Sequence, residues 1–142
     1  MTAILILFTS AFASATLLPG SSEAVLAGAM KLSDEPLWLL LAVATVGNTL
    51  GAAVNWVLGL LVAMGRERVK LPVSAERLDR FDAFYRRYGV WGLLLSWVPI
   101  IGDTLTVLAG LARTPLLVFL PLVAVGKLAR YLVVAELIHA VN

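Results

Sequence analysis

Four charged residues stand in otherwise apolar stretches of this 142-residue chain: Glu23, Asp103, Lys127 and Arg130. On insertion scales, a charge at the centre of a membrane helix costs about 2.5–3.5 kcal/mol. Two acids and two bases are tolerable there only if they pair or line a wet cavity. Lys127 and Arg130 are three residues apart and share a helix face. Together they can attract an anionic head group, the arginine in bidentate fashion. Glu23 or Asp103 can take up a proton, because burial penalises a carboxylate. Ser96 can line the same site or serve as packing. The plainer alternative is structural: the acids neutralise the bases, or each carboxylate caps the half-helix that follows it, where the dipole favours negative charge. Other chemistry is excluded by composition. With no cysteine there are no disulfides, thiolate metal sites or thiol nucleophiles, and a single histidine, His139, argues against a zinc site or a triad. No metal, cofactor or bond-making reaction is expected, so the chain does not read as an enzyme.

These charges need elements to hold them, and composition says what kind. The chain is 61% hydrophobic and only 14% charged, against about half and a quarter in a soluble domain. Residues 3–22, 36–65, 88–102 and 114–126 carry no charge at all, which points to hydrocarbon as the solvent. The fold class expected is an all-α integral membrane protein forming one domain over residues 1–142. Its net charge of +2 is too small to argue for nucleic acid. Met1 to Ala15 ends in Ala13-Ser14-Ala15, which resembles a cleavage site, but no basic residue precedes the apolar run. The stretch is therefore expected to be retained.

Two of the apolar stretches are broken. Pro19 and Gly20 interrupt residues 3–30; Pro99, Gly102 and Asp103 interrupt residues 89–112. Proline removes a donor and glycine tolerates turning, so each stretch reads as two half-helices. Halves of roughly 12–15 residues cannot span about 30 Å of hydrocarbon, which predicts re-entrant hairpins. Full spans follow, at Leu37–Gly65 and Leu116–Ile138. The two units echo each other. Val25-Leu26-Ala27-Gly28-Ala29-Met30-Lys31 recurs as Val107-Leu108-Ala109-Gly110-Leu111-Ala112-Arg113, and Val46-Gly47-Asn48 has a counterpart in Val125-Gly126-Lys127. A hairpin does not cross and a span does, so the second copy is inverted relative to the first, as in inverted-repeat transporters. The expected layout is repeat 1 at about 3–65, a connector at 66–88 and repeat 2 at about 89–142.

The connector holds Arg66, Arg68, Lys70, Arg77, Arg80, Arg86 and Arg87, seven of the eleven basic residues, and is expected to be cytoplasmic. Ser74 can cap a helix running to Tyr88. Leu78, Phe81, Tyr85 and Tyr88 would give it one apolar stripe lying on the inner membrane surface. In the first span Gly47 and Gly51 permit close packing, with a homo-oligomer interface as the other use, and Asn48 and Asn55 lie on one face as interhelical hydrogen-bond donors.

Several blocks carry a family resemblance. Ser14-Ala15-Thr16-Leu17-Leu18-Pro19-Gly20-x-Ser22-Glu23, Gly47-Asn48-x-Leu50-Gly51, Arg87-Tyr88-Gly89, Leu94-Leu95-Ser96-Trp97-x-Pro99-x-x-Gly102-Asp103 and Gly126-Lys127-x-x-Arg130-Tyr131 resemble a small inner-membrane branch of the DedA superfamily, also called the VTT or SNARE-associated domain family. The resemblance implies two oppositely oriented re-entrant hairpins in a bacterial inner membrane. It also implies lipid scrambling, flipping of polyprenyl-phosphate carriers or proton-linked envelope homeostasis. Glu23 and Pro19 match the family's acidic residue and proline in the first hairpin. Ser96 and Gly102 stand where relatives carry arginines around the second proline, with Lys127 and Arg130 as the replacement positive charge.

The expected function is translocation of an anionic lipid or lipid-linked phosphate between leaflets, coupled to protons, with membrane lipids as partners. Two alternatives stand beside this flippase or scramblase reading: a secondary transporter of a small ion or osmolyte, and a non-transporting membrane-integrity scaffold.

Overall fold

The structure, a computed structural model, describes residues 2–16, 21–65, 71, 73–98 and 101–141. Every regular element among these residues is helical, with α1 at Thr2–Thr16, α2 at Ser21–Leu32, α3 at Leu37–Ala63, α4 at Ala75–Tyr88, a 3₁₀ segment at Gly89–Trp97, α5 at Ile101–Leu111 and α6 at Leu116–Val141. At about 1.5 Å per residue only α3 and α6, at roughly 40 Å, exceed the hydrocarbon thickness. Both are apolar enough to cross a membrane. Their outward faces are apolar too: Val46, Leu50, Val54 and Val57 on α3, and Leu117, Val125, Leu132 and Leu137 on α6, are all exposed. A surface of this kind needs lipid around it.

Both broken stretches reverse direction. Ser14 Oγ donates to Ser22 Oγ at 3.1 Å, whereas residues eight apart on one continuous helix would be separated by about 12 Å. In the second stretch the backbone at Gly102 lies so close to Ser96 that a Cβ would strike the Ser96 carbonyl, and Gly102 N donates to Val98 O at 2.7 Å. Only glycine fits that approach. Pro19, Gly20 and Pro99, the other residues expected to make these breaks, lie outside the described residues.

The first arm of the second reversal is a 3₁₀ coil and not the α-helix expected. Gly89, at φ 60°, ends α4 and begins the new segment at once. The thinner coil rises about 2.0 Å per residue and brings its backbone against α6 at Gly126. A Cβ there would sit 2.8 Å from Ser96 Oγ and 3.0 Å from Leu94 O.

Apolar side chains gather in two cores. The first joins Leu7, Ala11, Leu26, Ala29, Leu40 and Ala44 to Tyr131 and Ala135. The second joins Ala52 to Tyr85, Leu93, Leu105, Leu108, Phe119 and Val123. Each core therefore takes one hairpin, one half of α3 and one half of α6. Glycines set the helix spacing. Gly47 faces Phe8 O and Ala11 of α1, while Gly59 and Gly110 bring α3 and α5 into backbone contact. Gly51 is buried on α3 between them.

Ser74 accepts a hydrogen bond from Arg77 N at 3.3 Å and so caps α4. The apolar face of α4 is formed by Leu78, Phe81, Phe84 and Tyr85, all packed into the second core. Tyr88, expected in that stripe, is 49% exposed and lies beside Phe84 with ring centroids 4.8 Å apart. The stripe thus packs on protein through Phe84 and not Tyr88, because Phe84, one turn earlier, meets Gly92 of the 3₁₀ segment. Arg66, Arg68 and Lys70 of the connector lie outside the described residues.

The end of α5 ties three elements together. Arg113 adopts φ 58°, and Thr114 N and Arg113 N donate to Ala109 O and Gly110 O at 2.9 and 3.0 Å, a Schellman closure. Trp56 Nε1 donates to Thr114 O at 2.9 Å, Arg113 Nη2 to Ala63 O at 3.0 Å, and Tyr85 OH bonds Thr114 Oγ1 at 2.5 Å. Burial pushes the Tyr85 phenol above its ordinary 10.0, against a smaller opposing effect of the Thr114 hydrogen bond. The folded connector therefore prefers the neutral phenol. That contribution to stability is complete below the unfolded value and is lost as pH rises through the higher folded one. Limited proteolysis should show α4 released at strongly alkaline pH, and Tyr85→Phe should delay the release while costing about 1 kcal/mol at neutral pH. Release at the same pH in both proteins would assign the transition to another group.

Candidate functional site

The gap between the two apolar cores is polar. On α3, Ala44 belongs to the first core and Ala52 to the second. Thr45, Asn48 and Thr49, all buried, lie between them. On α6, Val123 belongs to the second core and Tyr131 to the first. Lys127 and Arg130 fall between these two. Both sets sit near the middle of their helix. The hairpin ends supply the rest: Ser14, Ser22 and Glu23 from the first, Ser96 and Asp103 from the second.

On the first-hairpin side a hydrogen-bonded chain crosses four helices. Asn48 Nδ2 donates to Ala11 O at 2.8 Å and to Ser14 Oγ at 3.0 Å. Ser14 bonds Ser22, and Ser22 Oγ lies 2.8 Å from Tyr131 OH. Beside it, Arg130 Nη2 approaches Glu23 Oε1 at 2.6 Å, each side chain about one-fifth exposed (19% and 20%). The contact is ionic: neither Glu23 oxygen receives an aligned hydrogen bond. On the second-hairpin side Asn55 Nδ2 donates to Thr106 Oγ1 at 3.3 Å, and Thr106 Oγ1 donates to Asp103 O at 2.7 Å. Asn48 and Asn55 thus fasten α3 to one hairpin each.

Lys127 is the least satisfied charge. It is 3% exposed, and among the described residues it forms no ion pair within contact distance. Asp103 is the charge acting on it most strongly, with Glu23 also attracting and Arg130 repelling. Asp103 in turn feels Lys127, Arg130 and Arg77 of α4. All four charges therefore share one electrostatic neighbourhood, but only Glu23 and Arg130 touch. The hydroxyls of Ser96, Thr45 and Thr49 are buried with no hydrogen-bond partner. A buried ammonium with the spare Ser96 hydroxyl beside the neighbouring Gly126 is suited to an anion. Among the described residues no group of three or more His, Asp or Glu side chains gathers as a metal site would require.

Reading the chain missed Ser14, Ser22 and Tyr131 as one polar chain, the buried Thr45 and Thr49 on α3, the charge of Arg77 acting on Asp103, and Thr114 as the partner of Trp56 and Tyr85. Faint signals exist. Ser14 and Ser22 flank the first break, Tyr131 lies four residues after Lys127, and Thr45 and Thr49 flank Asn48 on its face of α3.

Comparison with known proteins follows the same lines. Residues 18–140 match the model of the VTT domain. The chain is similar to Inner membrane protein YqaA of Escherichia coli (strain K12), with 39% identity over 132 residues covering 91% of this chain and 86% of that one. The same figures hold for Inner membrane protein YqaA of Shigella flexneri. An uncharacterized protein of Haemophilus influenzae is 33% identical over 132 residues, covering 88% of this chain and 80% of that one. No solved structure matches.

Proposed function

The chain belongs to the VTT domain family and is a bacterial inner-membrane protein, and from that premise we propose that it carries an anionic lipid or lipid-linked phosphate between leaflets. The observation that carries the proposal is the buried Lys127, without a contacting counter-ion, in a polar layer between two apolar cores. In this mechanism the phosphate enters the layer and takes the place of the missing counter-ion. Ser96 donates a hydroxyl. Arg130 exchanges its partner, Glu23, for the passing phosphate, and Glu23 accepts a proton when it is released. The acyl chains stay in lipid throughout.

The two chain reversals support re-entrant hairpins. Their arms, at about 16–22 Å, are shorter than a bilayer core. The division into two cores, each with its own hairpin and half of each long helix, supports an inverted repeat. In this arrangement the hairpin tips meet at the bilayer midplane, and the connector lies on the cytoplasmic side.

Liposomes containing the protein and labelled anionic lipid test the proposal through leaflet exchange at an acidic and a neutral pH. Native protein should exchange lipid with a pH dependence. Glu23→Gln should retain exchange but lose that dependence, and Arg130→Ala should slow exchange at least about tenfold, the loss of one charge-assisted contact. Native exchange no faster than in empty liposomes would overturn the proposal and leave the ion-transporter and scaffold readings.

A further inference from the structure

An open apolar groove runs between α2 and the last third of α6. It is lined by Ala27, Lys31, Val134, Leu137, Ile138 and Val141 and has a volume of about 280 Å³. Its register is regular. Glu23 meets Arg130 at one end, Ala27 and Val134 lie one step of four residues further along, and Lys31 and Ile138 lie a second step along. Two helices that keep the same offset run side by side in the same direction, and every step of four stays on the facing side. The Glu23–Arg130 ion pair lies one helical step beyond its inner end, and its one charged lining residue, Lys31, is at the outer end.

A second groove of nearly equal volume, about 290 Å³, flanks α2 on its other side, between α1 and α2. Its lining includes Ile6, Val25, Gly28 and Leu32 but no charged residue. Of these two grooves of nearly equal size beside one helix, only the α2–α6 groove carries a charged lining residue, Lys31, while the other has Ser33 as its polar group.

We infer that the α2–α6 groove is a binding site for an anionic phospholipid, with the phosphate on Lys31 and one acyl chain lying along Ala27 and Val134 toward the ion pair. The inference rests on the lipid reading above and names where its substrate first docks. Eight residues of helix separate Glu23 from Lys31, about 12 Å. A polar layer at the midplane is about 15 Å from either edge of the hydrocarbon. Lys31, with its flexible stem, then reaches the level of the phosphates. The polar contacts that hold α2 among the described residues belong to Ser22 and Glu23 in its first turn, so the groove runs beside the part of α2 without them. A chain seated there points its phosphate end outward and its tail end at Arg130. Inward movement of that lipid delivers the phosphate to the Glu23–Arg130 pair and then to Lys127.

Photoactivatable phosphatidylglycerol in liposomes with the full chain tests this. Peptide-level mass spectrometry should find adducts on Val134, Leu137 and Ile138. Lys31→Gln should lower their yield about tenfold, Lys31→Arg should restore it, and adducts in the α1–α2 groove should not change. Photoactivatable diacylglycerol, which lacks the phosphate, should label both grooves alike and ignore Lys31→Gln. Labelling of the α2–α6 groove that is indifferent to Lys31→Gln, or spread evenly over both grooves and the exposed face of α3, would overturn the inference. Expected labelling without leaflet exchange would sink the transport reading and leave the site. Exchange at full rate in Lys31→Gln, with the groove unlabelled, would sink the site and leave transport.

Discussion

Lys127→Met should yield a protein at least as stable as the native one that no longer exchanges anionic lipid. The two halves of this outcome have one cause. Lys127 is buried without a contacting counter-ion, so the native fold bears the cost of desolvating it. Methionine keeps the length and flexibility of the stem, and replacing buried ionic groups by apolar ones of similar volume is often neutral or stabilising. A residue retained at a cost to stability has to act on something. If that something is a phosphate, losing a charge-assisted contact of about 1.5–3 kcal/mol lowers occupancy roughly 10- to 150-fold. Thermal unfolding in detergent and leaflet exchange in liposomes give both readings on one preparation. A scaffold predicts something else: the variant would either fall apart or behave as native in every assay. Exchange at the native rate from well-folded Lys127→Met protein would remove the lysine from the mechanism.

The largest loss of stability is expected at Gly110. A Cβ there would strike Trp56 O and come within 2.9 Å of Leu60 N, while one at Gly59 would strike Val107 O and come within 3.2 Å of the Gly110 Cα. Overpacking a core costs about 1–3 kcal/mol when side chains can adjust. Here the obstacles are backbone atoms of two helices, which have no rotamer to change. Separating α3 from α5 also strains the Trp56–Thr114 hydrogen bond and, through it, the attachment of Tyr85. Gly110→Ala should therefore cost at least the upper end of that range, and Gly110→Leu should not accumulate as folded protein. Gly28→Ala makes the contrast. A Cβ at Gly28 meets nothing within 4 Å, so this helix-interior glycine should gain about 0.5–1 kcal/mol as alanine. Tryptophan fluorescence during thermal unfolding ranks the variants, and native stability in Gly110→Ala would show that α3 and α5 are not in backbone contact.

What could be read in the chain, and what could not, divides along physical lines. Proline and glycine in a charge-free run are visible because so few residues stop a helix, and among them Gly102 is seen at the second reversal. Four charges in hydrocarbon are equally visible because their cost singles them out. Partners are not visible. Ser22 finds Tyr131 across 109 residues, and nothing local distinguishes that serine from Ser21. Nor does the pattern of Gly89–Trp97 reveal a 3₁₀ coil: every position but three is apolar, so neither a three-residue nor a 3.6-residue period stands out. The connector stripe went astray at one position for a related reason. Phe84 and Tyr88 are one turn apart, and only the location of Gly92 decides which of them is covered. Asp103 was legible as a charge, but the reach of Arg77 to it depends on α4 lying along α5, which no spacing within either helix announces.

The glycine contacts of α3 have a mechanical consequence. Where Gly47 meets α1 and Gly59 meets Gly110 of α5, main chain bears on main chain, and no layer of side chains is left to yield. These three helices must shift as a single chassis or not at all. Helix α2 is fastened differently, by one polar turn and by Leu26 and Ala29, with open space on both flanks. That leaves α2 room to tilt against the chassis about the contacts of its first turn.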